Sequence, residues 1–291
     1  MLTGCVSNNK NVGDKAKISV VATIFPLYDF AREIAGDLAD VALLIPPGAD
    51  AHNYDPTLKG ALAVAEADLV ICVGGVSDVW VERLLESNDI NKIVILKLIG
   101  AVEPLDVADG DGHGHDEYDE HIWTSPVNAA LMAEAITAAL CGLDPENAAA
   151  YRAKCDKYTR ELSTLDAEIR DIINNSAKKL LIVADSFPFL YFTHDYGLDW
   201  LAAIPGCGEH ADPTAAAMAA LIDAVNDNGA TVIFHTERGP TAVTKTICEE
   251  TGAEAVLLHS CQNVTRGEFE SGETYLSLMR GNLENLAKGL N

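Results

Sequence analysis

Long apolar runs are missing from this sequence. A helix that crosses a bilayer needs a run of roughly 18 or more apolar residues, and the chain contains no such run. The sequence therefore predicts no membrane-spanning segment. Even so, 48% of the 291 residues are hydrophobic, which is enough for a sizeable packed core. A chain of this length fits two domains better than one.

Positive charge is also scarce. Lys and Arg number 20 against 44 Asp and Glu, and the formal net charge is −24. Such a charge repels nucleic acid and anionic lipid, and it attracts cations. An acidic surface that only keeps the protein in solution is the alternative explanation. The composition thus argues against nucleic-acid binding more strongly than it argues for metal binding.

Familiar catalytic motifs are absent as well. The sequence has no His-Glu-x-x-His pair, no Gly-x-Ser-x-Gly elbow and no phosphate-binding Gly-rich loop. A metal-dependent hydrolase would need three protein ligands, an open water position and a base. Glu209 beside His210 is the pair that could be interpreted in this way. We predict that the protein is not an enzyme, with a metal-dependent hydrolase as the alternative.

The first residues resemble a bacterial lipobox. Residues 2–5 read Leu-Thr-Gly-Cys, and residues 6–17 are polar, as a flexible tether would be. The basic and apolar regions of a signal peptide do not precede them. A chance tetrapeptide is the alternative. We predict that Cys5 carries a lipid, which places the domains outside the cytoplasm and attaches them to the membrane by that anchor alone.

Six further cysteines follow Cys5. An extracytoplasmic location permits disulfides, but the sequence does not choose among the possible pairings. Cys72 lies within an apolar run and is expected to be a buried thiol.

Short β-branched apolar runs alternate with helical patterns along the chain. Strands are predicted at 18–25, 41–45, 69–73, 93–98, 179–184, 200–204, 231–235 and 255–259. Helices are predicted between them, at 28–39, 57–65, 127–140, 214–226 and 241–251. Nearly continuous apolar runs are typical of strands buried on both faces, as in parallel sheets. The alternation predicts an α/β architecture.

One long segment, residues 145–174, contains no strand. Its apolar residues recur in alternating steps of four and three, which is one stripe along a helix of about 43 Å. Asp144 suits the N-cap and Pro145 the first turn. Four predicted strands precede this helix and four follow it. We expect two (β/α)4-type lobes, each with a mainly parallel four-stranded sheet, joined by one long rigid helix. The expected bounds are 1–17 for the tether, 18–143 and 177–291 for the lobes, and 144–176 for the linker.

Several histidines follow predicted strands. His52 comes after the second strand, His210 after the sixth, and His121 closes an acidic, His-rich loop. Imidazole is the commonest ligand for zinc, and the carboxyl ends of parallel strands converge where such folds bind ligands. Each also has a simpler explanation. His52 could be a loop histidine that caps the helix at Thr57, His210 could lie in a surface loop, and His121 could be the solvated end of an acidic loop. The pattern favours a metal site.

The remaining histidines are weaker candidates. His194 lies about two turns, or about 11 Å, into a helix that starts near Phe187, and so it lies away from a site at the start of that helix. His259 closes an apolar run and is expected in the core or behind the ligands. His113 and His115 lie in a Gly- and Asp-rich loop, which either collects metal weakly or is only a solvated insert.

Six blocks of sequence resemble the solute-binding lipoproteins of bacterial zinc and manganese ABC transporters. They are residues 24–29, 46–56, 67–70, 120–126, 249–253 and 272–283, in that order along the chain. The resemblance implies a monomer of two lobes bridged by a long helix. It implies capture of Zn²⁺ in the cleft between the lobes and delivery to an ABC-transporter permease. The His-rich loop is similar to that of zinc-type members, and a Mn²⁺- or Fe²⁺-binding member is the alternative.

The same resemblance supplies a ligand set. His52 and His121 match its first two ligands. Its third ligand, His or Glu, falls at residues 185–186, of which Asp185 is the plausible one, and its fourth, Asp or Glu, falls at or near Gln262. His210 could replace the missing third histidine. The expected metal ligands are therefore His52, His121, Asp185, His210 and Gln262. Three imidazoles and an oxygen suit zinc, whereas two imidazoles and two carboxylates also admit manganese or iron.

Overall fold

Two parallel four-stranded sheets form the framework of the protein. In a computed structural model, the described residues are 17–49, 51, 54–86, 92–106, 118–204 and 213–291. The first sheet has the order β2-β1-β3-β4 and the second the order β6-β5-β7-β8, and all their strand pairs are parallel. The strands are β1 Ile18–Ala22, β2 Ala39–Leu43, β3 Leu69–Cys72, β4 Val94–Lys97, β5 Leu180–Ser186, β6 Asp199–Ile204, β7 Val232–His235 and β8 Glu254–Leu257. The predicted fold class is confirmed.

Helices connect the strands within each sheet. They are α1 Phe25–Ala35, α2 Leu58–Ala65, α3 Val79–Glu86, α4 Pro126–Leu143, α5 Ala148–Asn175, α6 Leu190–Tyr196, α7 Ala215–Asp227, α8 Ala242–Thr251, α9 Arg266–Ser271 and α10 Tyr275–Gly289. Short 3₁₀ turns lie at Gly36–Leu38, Val76–Asp78, Leu98–Ala101, Ile122–Thr124 and Pro145–Asn147. Helix α1 starts three residues before the predicted position, because Pro26 sits in its first turn, where a missing N–H costs nothing.

Helix α5 links the two sheets and packs against both halves of the protein. It contacts α4 on the amino-terminal side and α10 on the carboxyl-terminal side. The stripe that it buries is Tyr151, Cys155, Tyr158, Leu162, Leu165, Ile169 and Ile173. Asp144 does not cap α5 directly. Instead, it opens the preceding 3₁₀ turn, and its carboxylate accepts hydrogen bonds from Asn147 Nδ2 (2.6 Å) and the Tyr151 hydroxyl (3.0 Å).

Among the described helices, α4 is the one that is long and apolar enough to match a membrane span by composition. In the structure it is a core helix. Its buried side includes Met132, Ile136 and Leu140, none of which is exposed to solvent, and it packs against α1 and α5. The exposed apolar residues Val127 and Leu131 lie on its outer side.

Buried hydrogen bonds tie the two lobes together. Asp29 on α1 accepts from the backbone N–H of Tyr275 (2.8 Å) at the start of α10. The Tyr275 hydroxyl donates to the carbonyl of Trp123 (2.7 Å), and the Trp123 indole donates to the carbonyl of Ser260 (2.8 Å). Because a buried polar group without a partner is costly, these bonds fix how one lobe sits on the other.

Asp29 should make the stability of the metal-free protein depend on pH. Burial raises its pKa to about 6, although the bonds from Tyr275 and Arg32 oppose that rise. A carboxyl group whose pKa is higher in the folded state than in the unfolded state stabilises the folded protein fully at pH values below its unfolded-state pKa. That contribution is lost as the pH rises through the folded-state pKa of about 6. Relative to the Asp29→Asn variant, the free energy of unfolding of the native chain should therefore fall by up to about 3 kcal/mol between pH 4 and pH 7.5.

Urea unfolding in the presence of a chelator, repeated across that pH range, measures the effect. The matched control is Asp227→Asn, which neutralises an exposed carboxylate at the end of α7. The difference in free energy of unfolding between the native chain and this control should not change with pH. If the difference between the native chain and Asp29→Asn is equally independent of pH, Asp29 is not the source of the pH dependence.

Candidate metal centre

A cavity of about 260 Å³ opens between the two lobes. From the amino-terminal lobe it is lined by His121 and by the loop that includes Ala51. From the carboxyl-terminal lobe it is lined by residues at or after the carboxyl ends of β5, β7 and β8, including Ser186, Glu237 and Gln262. The carboxyl ends of parallel strands thus meet at this cavity, as expected for a ligand site in an α/β fold.

His121 is a well-prepared metal ligand. Its side chain is almost fully buried, and Nδ1 lies 3.1 Å from Oδ1 of Asp119. A carboxylate only accepts hydrogen bonds, so Nδ1 carries the proton and the ring lone pair is on Nε2. The same Asp119 oxygen accepts from the backbone N–H of His121 (2.8 Å), and the ring packs 5.2 Å from Trp123. A carboxylate behind a histidine is the usual way in which proteins orient an imidazole toward a metal.

At the end of β5, the structure separates the two candidates for the third ligand. Ser186 lines the cavity. The carboxylate of Asp185 is bonded to its neighbours: Oδ2 accepts from the Thr236 hydroxyl (2.6 Å), and Oδ1 accepts from the backbone N–H of Ser186 (2.9 Å). Asp185 is not among the described residues that line the cavity. Both oxygens of Asp185 thus already accept a hydrogen bond from a neighbour within the second lobe.

Gln262 lies across the cavity from the amino-terminal lobe. It lines the main cavity, and together with His121 and Glu120 it also lines a smaller void of about 20 Å³. The smaller void is large enough for about one water molecule. The structure therefore brings His121 and Gln262, one from each lobe, to the same place.

Three other predicted residues lie outside the described part of the chain: Cys5, His52 and His210. Ala51, next to His52, lines the cavity. Within the ranges that the structure describes, no three His, Cys, Asp or Glu side chains group closely enough to hold a metal. The predicted ligand set is complete only with His52 and His210.

Glu237 was not predicted as a site residue, although it follows β7 where the sheet meets the cavity. Its carboxylate accepts from the backbone N–H (2.9 Å) and the hydroxyl (2.6 Å) of Ser260. The sequence did contain a signal, because Glu237, like His52 and Gln262, is a possible metal ligand that follows the carboxyl end of a strand.

The weaker histidine candidates lie away from the cavity. His194 has a side chain that is 64% exposed and lines a different cavity, beside Leu105 and Trp200. His259 is buried, as expected of a core histidine, and its Nδ1 accepts the backbone N–H of Cys261 (2.9 Å). His113 and His115 are outside the described residues.

The described cysteines form no disulfides. Cys72, Cys141, Cys155, Cys248 and Cys261 are free thiols. Burial raises the pKa of the Cys72 and Cys261 thiols far above the usual range. Because the thiolate is the form that binds metals, these two residues are poor ligands. Cys72 is the buried thiol that the sequence predicted.

Comparison with known proteins identifies related sequences along nearly the whole chain. The family described as zinc-uptake complex component A, periplasmic, matches residues 20–289. A zinc-binding lipoprotein, AdcA, of Streptococcus pneumoniae is 31% identical over 293 residues, which cover 98% of this chain and 58% of the relative. The high-affinity zinc uptake protein ZnuA of Bacillus subtilis is 29% identical and is covered to 88%. The chain thus spans little more than half the length of the AdcA relatives that it matches.

Solved structures share the fold. The Zn(II)-bound ZnuA-like domain of Streptococcus pneumoniae AdcA superposes with a TM-score of 0.80 at 29% identity, covering 94% of this chain and 99% of that domain. The metal-dependent lipoprotein YcdH of Bacillus subtilis gives a TM-score of 0.82 at 28% identity, covering 94% of this chain and all of that one (100%). Both match across the two sheets and the long helix.

Proposed function

Because this chain belongs to the zinc-uptake complex component A family, we propose that it is an extracytoplasmic binding protein that captures Zn²⁺ between its lobes. It delivers the ion to the permease of an ABC transporter. The observation that carries the proposal is His121, which is oriented by Asp119 and lines a cavity shared with Gln262 of the other lobe. Relatives named for zinc binding or zinc uptake support the choice of zinc.

The proposed ligands are His52 and His121 from the first lobe, with His210 and an oxygen of Asp185 or Gln262 from the second. Three imidazoles and one oxygen complete a tetrahedral zinc shell. A shell made of four protein ligands leaves no position for a reactive water, and so it suits carriage rather than catalysis. The lobes that hold these ligands span residues 18–143 and 177–291, and residues 144–176 link them.

The proposed location follows from the amino terminus and the charge. A lipid on Cys5 and the tether at residues 6–17 would hold a monomer at the outer face of the membrane. Relatives named as lipoproteins support the anchor. A formal net charge of −24 would raise the local concentration of divalent cations near the cleft.

Calorimetric titration tests the proposal. Protein dialysed against a chelator should bind one Zn²⁺ per chain tightly, and the binding should release protons because zinc ligands must be deprotonated. Excess Mn²⁺ should fail to displace the zinc, since manganese binds such sites more weakly. Absence of tight zinc binding at any stoichiometry would refute the proposed function.

A manganese carrier is the second candidate. The observation in its favour is the chemistry of the second lobe's wall, where the described side chains offer oxygen: Ser186, Glu237 and Gln262. Oxygen donors suit manganese better than they suit zinc. Binding of Mn²⁺ that survives equimolar Zn²⁺ in the same titration would favour this candidate.

A further inference from the structure

The residue before Gln262 has an unusual backbone. Cys261 adopts φ = 61°, and among the residues that the structure describes it is the single non-glycine residue with a positive φ. An L-residue with a side chain pays a steric penalty there, whereas glycine does not. Cys261 is also fully buried. A strained conformation persists only where its surroundings hold it, and here it sets the direction in which Gln262 leaves the turn.

His259 holds the turn from one side. Its Nδ1 accepts the backbone N–H of Cys261, two residues ahead, at 2.9 Å. This is the bond that an Asn or Asp side chain makes in an Asx turn. The backbone of His259 is held in turn by Asn282, whose Oδ1 accepts from its N–H (2.7 Å) and whose Nδ2 donates to its carbonyl (2.9 Å).

Glu237 holds the turn from the other side. Its carboxylate accepts from both the N–H and the hydroxyl of Ser260. The Ser260 oxygen then accepts the N–H of Gln262 (3.2 Å). Each of the four consecutive N–H groups from His259 to Gln262 therefore donates to a side chain. Because β8 ends at Leu257, the sheet does not supply these partners.

We propose that His259 and Glu237 are positioning residues that fix the turn at residues 259–262 and thereby aim the side-chain oxygen of Gln262 at the metal. The proposal rests on the proposed function, because it takes Gln262 as a metal ligand. His259 acts through Nδ1. Its Nε2 lies 3.7 Å from Glu268 Oε1, and His259 is not among the described residues that line the cavity.

Two substitutions at His259 separate positioning from direct ligation. Asparagine can accept the N–H of Cys261 as the imidazole does, whereas leucine keeps the apolar packing and offers no acceptor. Zinc affinity is measured by competition with a chromogenic chelator. His259→Leu should weaken zinc binding about tenfold or more, as changes behind a metal ligand do. His259→Asn should retain most of the native affinity for zinc. His194→Leu, at an exposed histidine remote from the cavity, should bind like the native chain.

A second-site change gives a readout that a purely structural role would not move. Cys261→Gly lets residue 261 adopt the same φ without steric penalty. Added to His259→Leu, it should therefore recover part of the lost affinity, while thermal unfolding of the chelated variants reports stability separately. Glu237→Gln, which replaces one acceptor oxygen with a donor, should weaken zinc binding in the same direction.

The outcomes separate failure of the proposed zinc carriage from failure of the positioning role of His259 and Glu237. A native chain that does not bind zinc overturns the proposed function and this inference with it. A native chain that binds zinc, with His259→Leu binding equally well, overturns the inference alone. Equal losses in His259→Asn and His259→Leu, with no recovery from Cys261→Gly, would make His259 itself a ligand and also overturn it. If Gln262→Ala binds zinc with native affinity, the inference is also overturned, because Gln262 is then not a metal ligand.

Discussion

Replacing His121 with alanine should remove tight zinc binding and leave the protein folded. Among the described residues that line the cavity, His121 is the one imidazole. Changes behind a metal ligand cost about 10- to 100-fold in affinity, so the loss of the ligand itself should exceed about 100-fold. Folding should survive, because Asp119 keeps its bond from the backbone N–H of residue 121.

The same competition assay that reports the His121→Ala affinity can test the carboxylate behind it. Asp119→Asn replaces an acceptor-only group with an amide, which can hold the imidazole in the wrong tautomer, and it should weaken zinc binding about 10- to 100-fold. His194→Ala is the matched control, since that histidine is exposed and lines another cavity. Affinity in His121→Ala within a few-fold of the native value would exclude His121 as a ligand.

The framework was predictable because its central strands, β1, β3, β5 and β7, are largely buried on both faces, although the edge strand β4 is mostly exposed. All eight predicted strands are present, and β3 is buried at every position, as its unbroken apolar sequence indicated. The ends were less predictable. The first apolar run continues through Phe25, but the strand stops at Ala22 because Pro26 favours the start of α1.

Two short helices were not predicted. Helix α3 covers eight residues, and α9 covers only six, which are too few for an apolar periodicity to emerge. Helix α9 carried a different signal, a Thr265–Glu268 capping box in which each residue bonds the backbone of the other. The local cap, rather than a hydrophobic face, identifies that helix.

The sequence could not show whether Asp185 or Ser186 faces the cavity at the end of β5. Successive residues of a strand point to opposite faces, so a shift of one residue exchanges which side chain faces the cavity. The pairing of β5 with β6 has such an irregularity between Val183 and Ser186. This irregularity cannot be predicted from residue types or from their spacing. In the structure, Ser186 lines the cavity and Asp185 bonds to Thr236.

The turn at Cys261 was unpredictable for the same kind of reason. A positive φ is expected of glycine, and no sequence rule places a cysteine there. The hydrogen bonds that support it come from Glu237 on one side and His259 on the other, and they are visible only in the folded protein.

The second lobe can be tested by giving it stronger ligands. Ser186 and Gln262 present a hydroxyl and a neutral amide to the cavity, where a histidine and a carboxylate would bind zinc better. The double variant Ser186→His/Gln262→Glu should therefore tighten zinc binding about 100-fold, from about tenfold or 1.4 kcal/mol at each position. The gain should shrink at acidic pH, because the new carboxylate and imidazole must lose their protons to bind the metal.

Charge alone would not account for such a gain, and a surface control measures how much it contributes. Asn228→Asp adds one negative charge at an exposed position after α7 and should change zinc affinity by much less than tenfold. Gln262→Leu, which has an apolar side chain and offers no donor atom, should weaken zinc binding. If the double variant binds zinc no better than the native chain while Gln262→Leu also has no effect, the metal does not contact residue 262.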